Sequence, residues 1–251
     1  MSQPSSPLPP PGAAADWTIA QDWAGYSAEE HATWDRLFAR QSALLPGRAA
    51  QAFLDGLEVL HLGRPGIPDF AELSERLTAR TGWQVVAVPG LVPEDVFFSH
   101  LANRRFVAGT FIRRPDQLDY LQEPDVFHDV FGHVPMLADP VFAGYMAAYG
   151  RGGLRALEHG ALKNLARLYW YTVEFGLVEE EGELRIYGSG IVSSKGESLY
   201  SLESNAPNRI GFELVREMYR QGFDPAFTST AKIDYAIGIP LTHLGVTAPV
   251  L

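Results

Sequence analysis

Signals that start and stop helices recur along this chain, and they restrict its fold more than any other feature of the sequence. Ser27 followed by Glu30 predicts a capping box, and Pro46 with Gly47 predicts the end of the same helix. Similar signals, separated by apolar runs, predict further helices and only a few strands. The predicted helices span residues 27–45, 47–62, 68–82, 93–104, 139–150 and 154–176, and the predicted strands span 83–88, 106–112 and a hairpin at 177–188.

The proportion of helices to strands indicates the fold class. Short strands without regular alternation, set among many helices, are typical of a mainly α-helical α+β domain. We therefore predict a single domain over residues 16–251, with no linker and no internal repeat. Residues 1–15 are rich in Pro, Ser and Ala, and we predict that they form a disordered N-terminal tail.

The charge and the apolar runs of the chain exclude several classes of partner. The 30 acidic and 20 basic residues give a formal net charge of −10. We therefore expect neither a nucleic acid nor an anionic membrane as a partner. The first residues lack the basic and apolar regions of a secretory signal, and no apolar run reaches the length of a membrane span. A cytoplasmic protein is the resulting expectation.

The absence of cysteine limits any metal site to His, Asp, Glu and water. The best candidate pair is His128 with His133, in the stretch FHDVFGHVPM. Five residues separate them, and an unbroken α-helix, at about 100° per residue, would turn their rings apart. Gly132 and Pro135 both favour the end of a helix. We therefore expect the helix to end at Gly132, so that His133 lies in the exit turn and reaches the same ion.

Glu174 is the candidate for a third ligand. It lies in ARLYWYTVEFG, a segment otherwise rich in apolar and aromatic residues. A carboxylate on a largely buried helix must be paired, protonated or bound to a metal. A buried ion pair with a basic residue of the same helix is as good an interpretation as a metal ligand.

The composition of this candidate site favours one metal over another. Two histidines and one carboxylate leave half of an octahedron open, which suits a non-haem Fe(II) that binds O₂ and a substrate together. The same three ligands could hold zinc in a hydrolase. The sequence has no HExxH motif, and residue 129 is Asp rather than the Glu base of that motif. A zinc hydrolase is therefore the weaker alternative.

Three motifs in order resemble one known family. EPDVFHDVFGHVPMLADPVFAGY, LYWYTVEFG and GSGIVSSKGE are similar to signature segments of the pterin-dependent aromatic amino acid hydroxylases, and the resemblance is strong from about Leu91 to Glu203. The size of the chain is similar to that of bacterial phenylalanine hydroxylases. The resemblance implies one catalytic domain, a mononuclear Fe(II), tetrahydrobiopterin as electron donor and O₂ as co-substrate. It also implies that His128, His133 and Glu174 are the iron ligands and act in catalysis.

Further residues gain roles through this resemblance. Arg113 matches the arginine that binds the substrate carboxylate, a task suited to a planar guanidinium with two parallel donors. Arg114 is the less favoured alternative. Asp125 matches the aspartate that holds this arginine, although it could equally cap the following helix. Trp170 matches a wall of the substrate pocket, and its position four residues before Glu174 predicts both on one helical face. The predicted substrate-binding residues are Arg113, Asp125, Trp170, Ser193 and Ser194.

The resemblance also implies a pterin-binding side. Phe97 matches the phenylalanine that stacks on the pterin, and Val92 lies in the loop whose backbone meets the pterin edge. Asp129 stands where many relatives have Glu, and we expect it to contact the pterin through water. Tyr169 matches a tyrosine of the same cavity. Glu197 matches a carboxylate beside the site.

The reaction implied is hydroxylation of L-phenylalanine to L-tyrosine in phenylalanine catabolism. Tryptophan or tyrosine hydroxylation is the alternative within the family, because the sequence after Glu217 departs from the family pattern where residues that select the substrate are expected. A non-catalytic metal-binding or pterin-binding module is a further alternative. The sequence has no recognisable C-terminal heptad helix, so we expect a monomer whose partner is a small molecule.

Overall fold

The fold consists of eight α-helices and two small sheets in the part of the chain that the structure describes. The structure is a computed structural model, and it describes residues 7–119, 123–211 and 235–238. The helices are α1 (Ala28–Leu44), α2 (Gln51–Val59), α3 (Phe70–Thr81), α4 (Glu94–Ala102), α5 (Pro140–Glu158), α6 (Leu162–Tyr169), α7 (Ser189–Val192) and α8 (Lys195–Glu203). The strands are β1 (Gln84–Val88), β2 (Arg105–Gly109), β3 (Gly176–Glu180), β4 (Glu183–Ile186), β5 (Arg209–Gly211) and β6 (Tyr235–Gly238). The predicted mainly α-helical α+β class is confirmed.

The predicted capping residues form hydrogen bonds to the free backbone N–H groups at the starts of their helices. The Ser27 hydroxyl accepts the backbone N–H of Glu30 at 3.3 Å, and the Glu30 carboxylate accepts the backbone N–H of Ser27 at 2.7 Å. Asp69 caps α3, since its carboxylate accepts the backbone N–H of Ala71 at 2.7 Å. Gly82 ends that helix with a φ of 75°, a left-handed conformation that glycine adopts without strain.

The described strands form two separate sheets, one of two strands and one of four. β1 and β2 pair in parallel, with Gln84 opposite Arg105, and α4 makes the crossover between them. The second sheet has the strand order β4-β3-β6-β5. Its antiparallel pair, with Leu177 opposite Ile186, confirms the predicted hairpin.

One continuous core supports the first candidate ligand segment. Phe127 and Phe131 stack with ring centroids 4.6 Å apart. Trp34 of α1 makes a T-shaped contact with Phe127, and Phe53 of α2 makes a T-shaped contact with Phe131. All four side chains are fully buried, so each contributes about 1.5–3 kcal/mol of hydrophobic stabilisation. The residues between the two candidate histidines are therefore anchored from both α1 and α2.

The predicted long helix over 154–176 is wrong. Helix α5 continues to Glu158, and the chain then turns through Gly160, whose φ is 65°. Helix α6 follows, and a π-helix at Trp170–Glu174 completes the run. The left-handed glycine interrupts the apolar periodicity that favoured a single helix.

Some predictions concern residues outside this description. Residues 1–6 of the predicted disordered tail and the segment after Glu217, apart from β6, lie outside the described residues. The division into a tail and one domain stays a prediction. None of the helices in residues 7–119 and 123–211 combines the length and the apolar character that crossing a bilayer requires.

Candidate metal centre

The two histidines lie on a π-helix that spans Phe127–His133. The prediction that the helix ends at Gly132 is wrong. A π-helix makes i→i+5 hydrogen bonds, so a spacing of five residues brings His128 and His133 to neighbouring positions. Their ring centroids are 5.1 Å apart. Pro135 begins the short 3₁₀-helix that follows, which is the position where its missing N–H costs least.

Glu174 completes a cluster of three metal-binding groups. It is the last residue of the second π-helix, and its Oε1 lies 3.2 Å from Nε2 of His133. Its Oε2 lies 3.6 Å from Nε2 of His128. The three potential ligand atoms lie within 4.8 Å of one another. The two π-helices thus bring together residues that are 41 positions apart in the sequence.

The electrostatics of this cluster suit a cation. Burial lowers the pKa of His128 to about 4, against the attraction of the Glu174 carboxylate, which would raise it. Burial also opposes ionisation of Glu174, but the charge of His133 and hydrogen bonds from His133 and Ser189 outweigh it and lower the pKa of Glu174 to about 2. A neutral imidazole and an ionised carboxylate are the forms in which these groups bind metal. Two imidazole nitrogens and one carboxylate oxygen fit a mononuclear Fe(II) with open positions.

Two serines fix the orientation of two of these groups. Ser193 donates its hydroxyl to the carbonyl of Ser189 at 2.7 Å, so it accepts from Nδ1–H of His128 at 3.0 Å. That tautomer leaves Nε2 of His128 free to bind a metal. Ser189 donates its own hydroxyl to Oε2 of Glu174 at 2.8 Å. Ser193 was predicted at the site, whereas Ser189 was missed, because a serine between two glycines, as in GSGIVSS, is typical of a turn.

Arg113 and Asp125 lie together as the resemblance implied. The Asp125 carboxylate accepts Nε–H and an NH2 hydrogen of Arg113, each at 2.8 Å. It also accepts the backbone N–H of His128 at 3.0 Å, so the alternative role in capping is fulfilled as well. Arg114, the competing residue, is exposed and pairs with Asp116.

A cavity beside the three ligands contains most of the predicted pterin residues. Val92, Phe97, Asp129 and Tyr169 line it together with His128, His133 and Glu174. Phe97 makes a T-shaped contact with Tyr169, with ring centroids 5.4 Å apart. The neighbouring residue Phe98 is buried in the core. Sequence reasoning missed Phe106, whose ring lies 4.8 Å from that of His133.

Asp129 is held at the edge of this cavity. Its Oδ2 accepts the backbone N–H of Gly109 at 2.8 Å. Burial raises the pKa of its carboxyl group to about 7, against this hydrogen bond, which lowers it. The end of β2, in the first sheet, therefore positions a carboxyl group whose pKa burial raises to about 7.

Six of the predicted residues do not line the cavity formed by the described residues, namely Arg113, Asp125, Ser193, Trp170, Ser194 and Glu197. Trp170 is 57% exposed and packs on Phe175, with ring centroids 4.8 Å apart. It begins the second π-helix, four residues before Glu174, and its place in a substrate pocket stays a prediction. Ser194 caps α8 by accepting the backbone N–H of Glu197 at 3.3 Å. Glu197 lies in the first turn of α8, half-buried.

Comparisons with known proteins agree with each other on the protein family of this chain. The phenylalanine-4-hydroxylase of Caulobacter vibrioides is 65% identical over 210 residues, which cover 84% of this chain and 71% of that protein. The phenylalanine-4-hydroxylase of Ralstonia nicotianae is 64% identical over 203 residues, 81% of this chain and 65% of that protein. The chain thus spans about two thirds of the length of these relatives.

Solved structures agree with the sequence relatives. The iron- and phenylalanine-bound phenylalanine hydroxylase of Chromobacterium violaceum has a TM-score of 0.83 and 52% identity, over 94% of this chain and 85% of that one. A structure of the same enzyme with iron(III) and 7,8-dihydrobiopterin has a TM-score of 0.81 and 55% identity, over 90% and 81%. The sequence profile of the biopterin-dependent aromatic amino acid hydroxylases matches residues 20–233. The family predicted from the sequence is confirmed: this chain belongs to the biopterin-dependent aromatic amino acid hydroxylases.

Proposed function

We propose that the chain is a phenylalanine 4-hydroxylase, which converts L-phenylalanine to L-tyrosine with O₂, Fe(II) and tetrahydrobiopterin. The observation that carries this proposal is the convergence of His128, His133 and Glu174 beside one aromatic-lined cavity. Relatives at 64–65% identity carry the name phenylalanine-4-hydroxylase. Tryptophan and tyrosine hydroxylation are the alternatives that an assay must exclude.

The three ligands would hold the iron on one side only. Their imidazole and carboxylate groups leave the cavity side open to O₂ and to the reacting ring. When bound, Fe(II) and the reduced pterin supply the activation of O₂ and the two electrons that the reaction consumes. Hydrogen bonds orient two of these groups, since Ser193 accepts from His128 and Ser189 donates to Glu174.

The pterin would bind against the aromatic wall of the cavity. Phe97 offers a ring face at the edge of that wall, and Tyr169 supports the Phe97 ring from the side. Val92 offers backbone groups from the loop before α4. Asp129, fixed by the N–H of Gly109, offers a carboxyl oxygen that can accept or donate a hydrogen bond near neutral pH.

The amino acid would be oriented by Arg113. Asp125 holds the guanidinium at two points, and Nη1 donates to the carbonyl of Leu118 at 3.4 Å. The other N–H groups would bind the substrate carboxylate. Trp170 would cover the substrate ring from the exposed side of the second π-helix. A ring held between Trp170 and the metal would be kept out of contact with bulk water, which protects a reactive oxygen from side reactions.

The place of this reaction in the cell forms part of the proposal. We propose that it serves phenylalanine catabolism, in the cytoplasm, and that the protein acts as a monomer. The acidic net charge of −10 supports a small-molecule partner rather than a nucleic acid. Light scattering together with sedimentation would measure the mass of the protein in solution. The mass of a dimer or a larger assembly would contradict the proposed monomer.

Reconstitution under anaerobic conditions tests the activity. The protein is loaded with Fe(II) and offered phenylalanine, tryptophan or tyrosine, with and without tetrahydropterin and O₂. We expect tyrosine from phenylalanine only when both are present. Glu174→Ala should abolish turnover, whereas Glu179→Ala, an exposed glutamate of β3, should not change it. Zinc-dependent hydrolysis without O₂, or full turnover by Glu174→Ala, would contradict the proposal.

A further inference from the structure

We propose that Ser189 is a positioning residue that selects which oxygen of Glu174 faces the metal. This inference rests on the proposed function, because it requires Glu174 to be a metal ligand. Ser189 occupies the first position of α7, and its side chain is 1% exposed. Its hydroxyl donates to the Glu174 carboxylate, and Ser189 itself lies outside the cluster of three ligands.

The hydroxyl of Ser189 has two acceptors within reach and one proton. The first is Oε2 of Glu174 at 2.8 Å, and the second is the carbonyl of Val173 at 3.2 Å. A bond to an ionised carboxylate is shorter and stronger than a bond to a neutral carbonyl. The proton of Ser189 therefore goes to Oε2, which lies 3.6 Å from Nε2 of His128. Oε1, which lies 3.2 Å from Nε2 of His133 and receives no bond from Ser189, would be the oxygen with both lone pairs available to a metal.

The serine is held in place by close backbone contacts around it. A Cβ on Gly188 would lie 2.5 Å from the carbonyl oxygen of Glu174, so only glycine permits this approach. Gly188 also donates its N–H to the carbonyl of Gly176 at 3.0 Å. On the other side, a Cβ on Gly132 would lie 3.0 Å from the carbonyl oxygen of Ser189. Ser189 is thus packed between the π-helix of the histidines and the residue it positions.

The consequence concerns the open side of the metal. A carboxylate with both oxygens free can bind a metal through one or both of them. With Oε2 engaged by Ser189, Glu174 would offer a metal its other oxygen and would leave more positions for O₂ and substrate. Hydrogen-bond partners of metal ligands typically change metal affinity by about 10- to 100-fold when they are removed.

Binding of Co(II) to Ser189→Ala tests the inference without relying on turnover. Alanine fits the space of serine, so only the hydroxyl is lost. We expect the variant to bind Co(II) about tenfold more weakly than the parent chain. We also expect its visible absorption bands to change in intensity, because the carboxylate oxygens around the ion change. Ser198→Ala is the matched control, since this fully buried serine donates to the carbonyl of Ile191 in the same α7 but touches no ligand.

The outcomes separate this inference from the function on which it rests. Unchanged Co(II) bands and an affinity no weaker than that of Ser198→Ala would overturn the role of Ser189. Glu174→Ala, titrated in parallel, tests the ligand itself. If Glu174→Ala bound Co(II) as the parent chain does, the proposed metal centre would fail, and the inference with it. Loss of binding in Glu174→Ala with a parent-like Ser189→Ala would reject the inference alone.

Discussion

Arg113 and Asp125 form a two-point ion pair that is almost completely buried. The side chain of Arg113 is 8% exposed and that of Asp125 is 0% exposed. Asp125 also accepts the backbone N–H of Arg113 at 2.9 Å, and that of His128. One carboxylate therefore fixes both the guanidinium that is proposed to bind substrate and the start of the segment that carries a metal ligand.

Asp125→Asn should weaken both folding and substrate binding. The amide keeps the shape of the side chain but leaves the Arg113 charge buried without a counter-charge, which typically costs about 3–5 kcal/mol of unfolding free energy. A guanidinium that is no longer held should also raise KM for phenylalanine at least tenfold, by order of magnitude. Urea denaturation and steady-state kinetics measure the two effects.

The exposed pair of Arg114 and Asp116 provides the control for this change. Asp116→Asn removes the carboxylate of an ion pair whose side chains are 71% and 68% exposed. We expect neither the unfolding free energy nor KM to change measurably, because solvent screens such a pair. Equal effects of the two Asn substitutions would contradict the role given to Asp125.

Trp170→Ala should affect the substrate without affecting the fold. The indole is more than half exposed, so its removal creates no buried cavity and should leave the melting temperature within about 2 °C of the parent value. KM for phenylalanine should rise, whereas KM for tetrahydropterin should not, because the pterin is proposed to bind at Phe97. Tyr200→Ala, at an exposed aromatic of α8, is the matched control. An equal rise of both KM values would place Trp170 elsewhere in the site.

Acid should destabilise the protein through His100. Its Nε2 lies 2.8 Å from the carbonyl oxygen of Asp16, and its buried Nδ1 has no hydrogen-bond partner among the described residues. Burial lowers the pKa of His100, aided by the nearby Arg105 charge and opposed by the hydrogen bond and charge of Asp16. The folded form therefore takes up its proton at lower pH than the unfolded chain, whose pKa is about 6.5.

The direction of the pH effect follows from this difference. Below pH of about 6.5 the unfolded chain binds a proton at His100 that the folded form does not, so acid favours unfolding. Above that pH the contribution is fully present. His100→Gln should remove up to about 1.4 kcal/mol per pH unit of this dependence. Urea denaturation of parent and variant between pH 7.5 and 5.5, about one unit to either side of 6.5, measures it. Parallel curves for the two proteins would rule out His100 as the cause.

The limits of sequence reasoning are visible at the π-helix of the histidines. Over seven residues, the apolar pattern of Phe127, Val130 and Phe131 fits an α-helix as well as a π-helix. The π-helix is packed by tertiary contacts, namely the approach of Ser189 to Gly132 and the contact of Trp34 with Phe127. Those contacts join distant parts of the chain, so the sequence predicted the two ligands but not the geometry that unites them.

The other site residues also divide into those that the sequence predicted and those that only the structure reveals. The family resemblance implied that Asp125 holds Arg113, and the structure shows that ion pair. It named Phe97 and Tyr169 separately, and their ring contact comes from the structure. Ser189 has no chemical signal of its own, since a serine between glycines is typical of a turn. Its role depends on one hydrogen bond across 15 positions, and only the three-dimensional structure reveals such a bond.

Gly150→Ala tests the packing that holds α4 against α5. A Cβ on Gly150 would lie 2.6 Å from the carbonyl carbon of Leu101 and would also collide with the backbone N of Ala102. The two helices would have to move apart, and we expect the unfolding free energy to fall by about 1–3 kcal/mol. Gly152→Ala, in the same helix, meets only a side-chain methyl of Leu165 at 3.9 Å. That change should stabilise the protein by about 0.5–1 kcal/mol, because alanine is the better helix former. Urea denaturation of both variants measures the contrast, and stabilisation by Gly150→Ala would refute the close contact between α4 and α5.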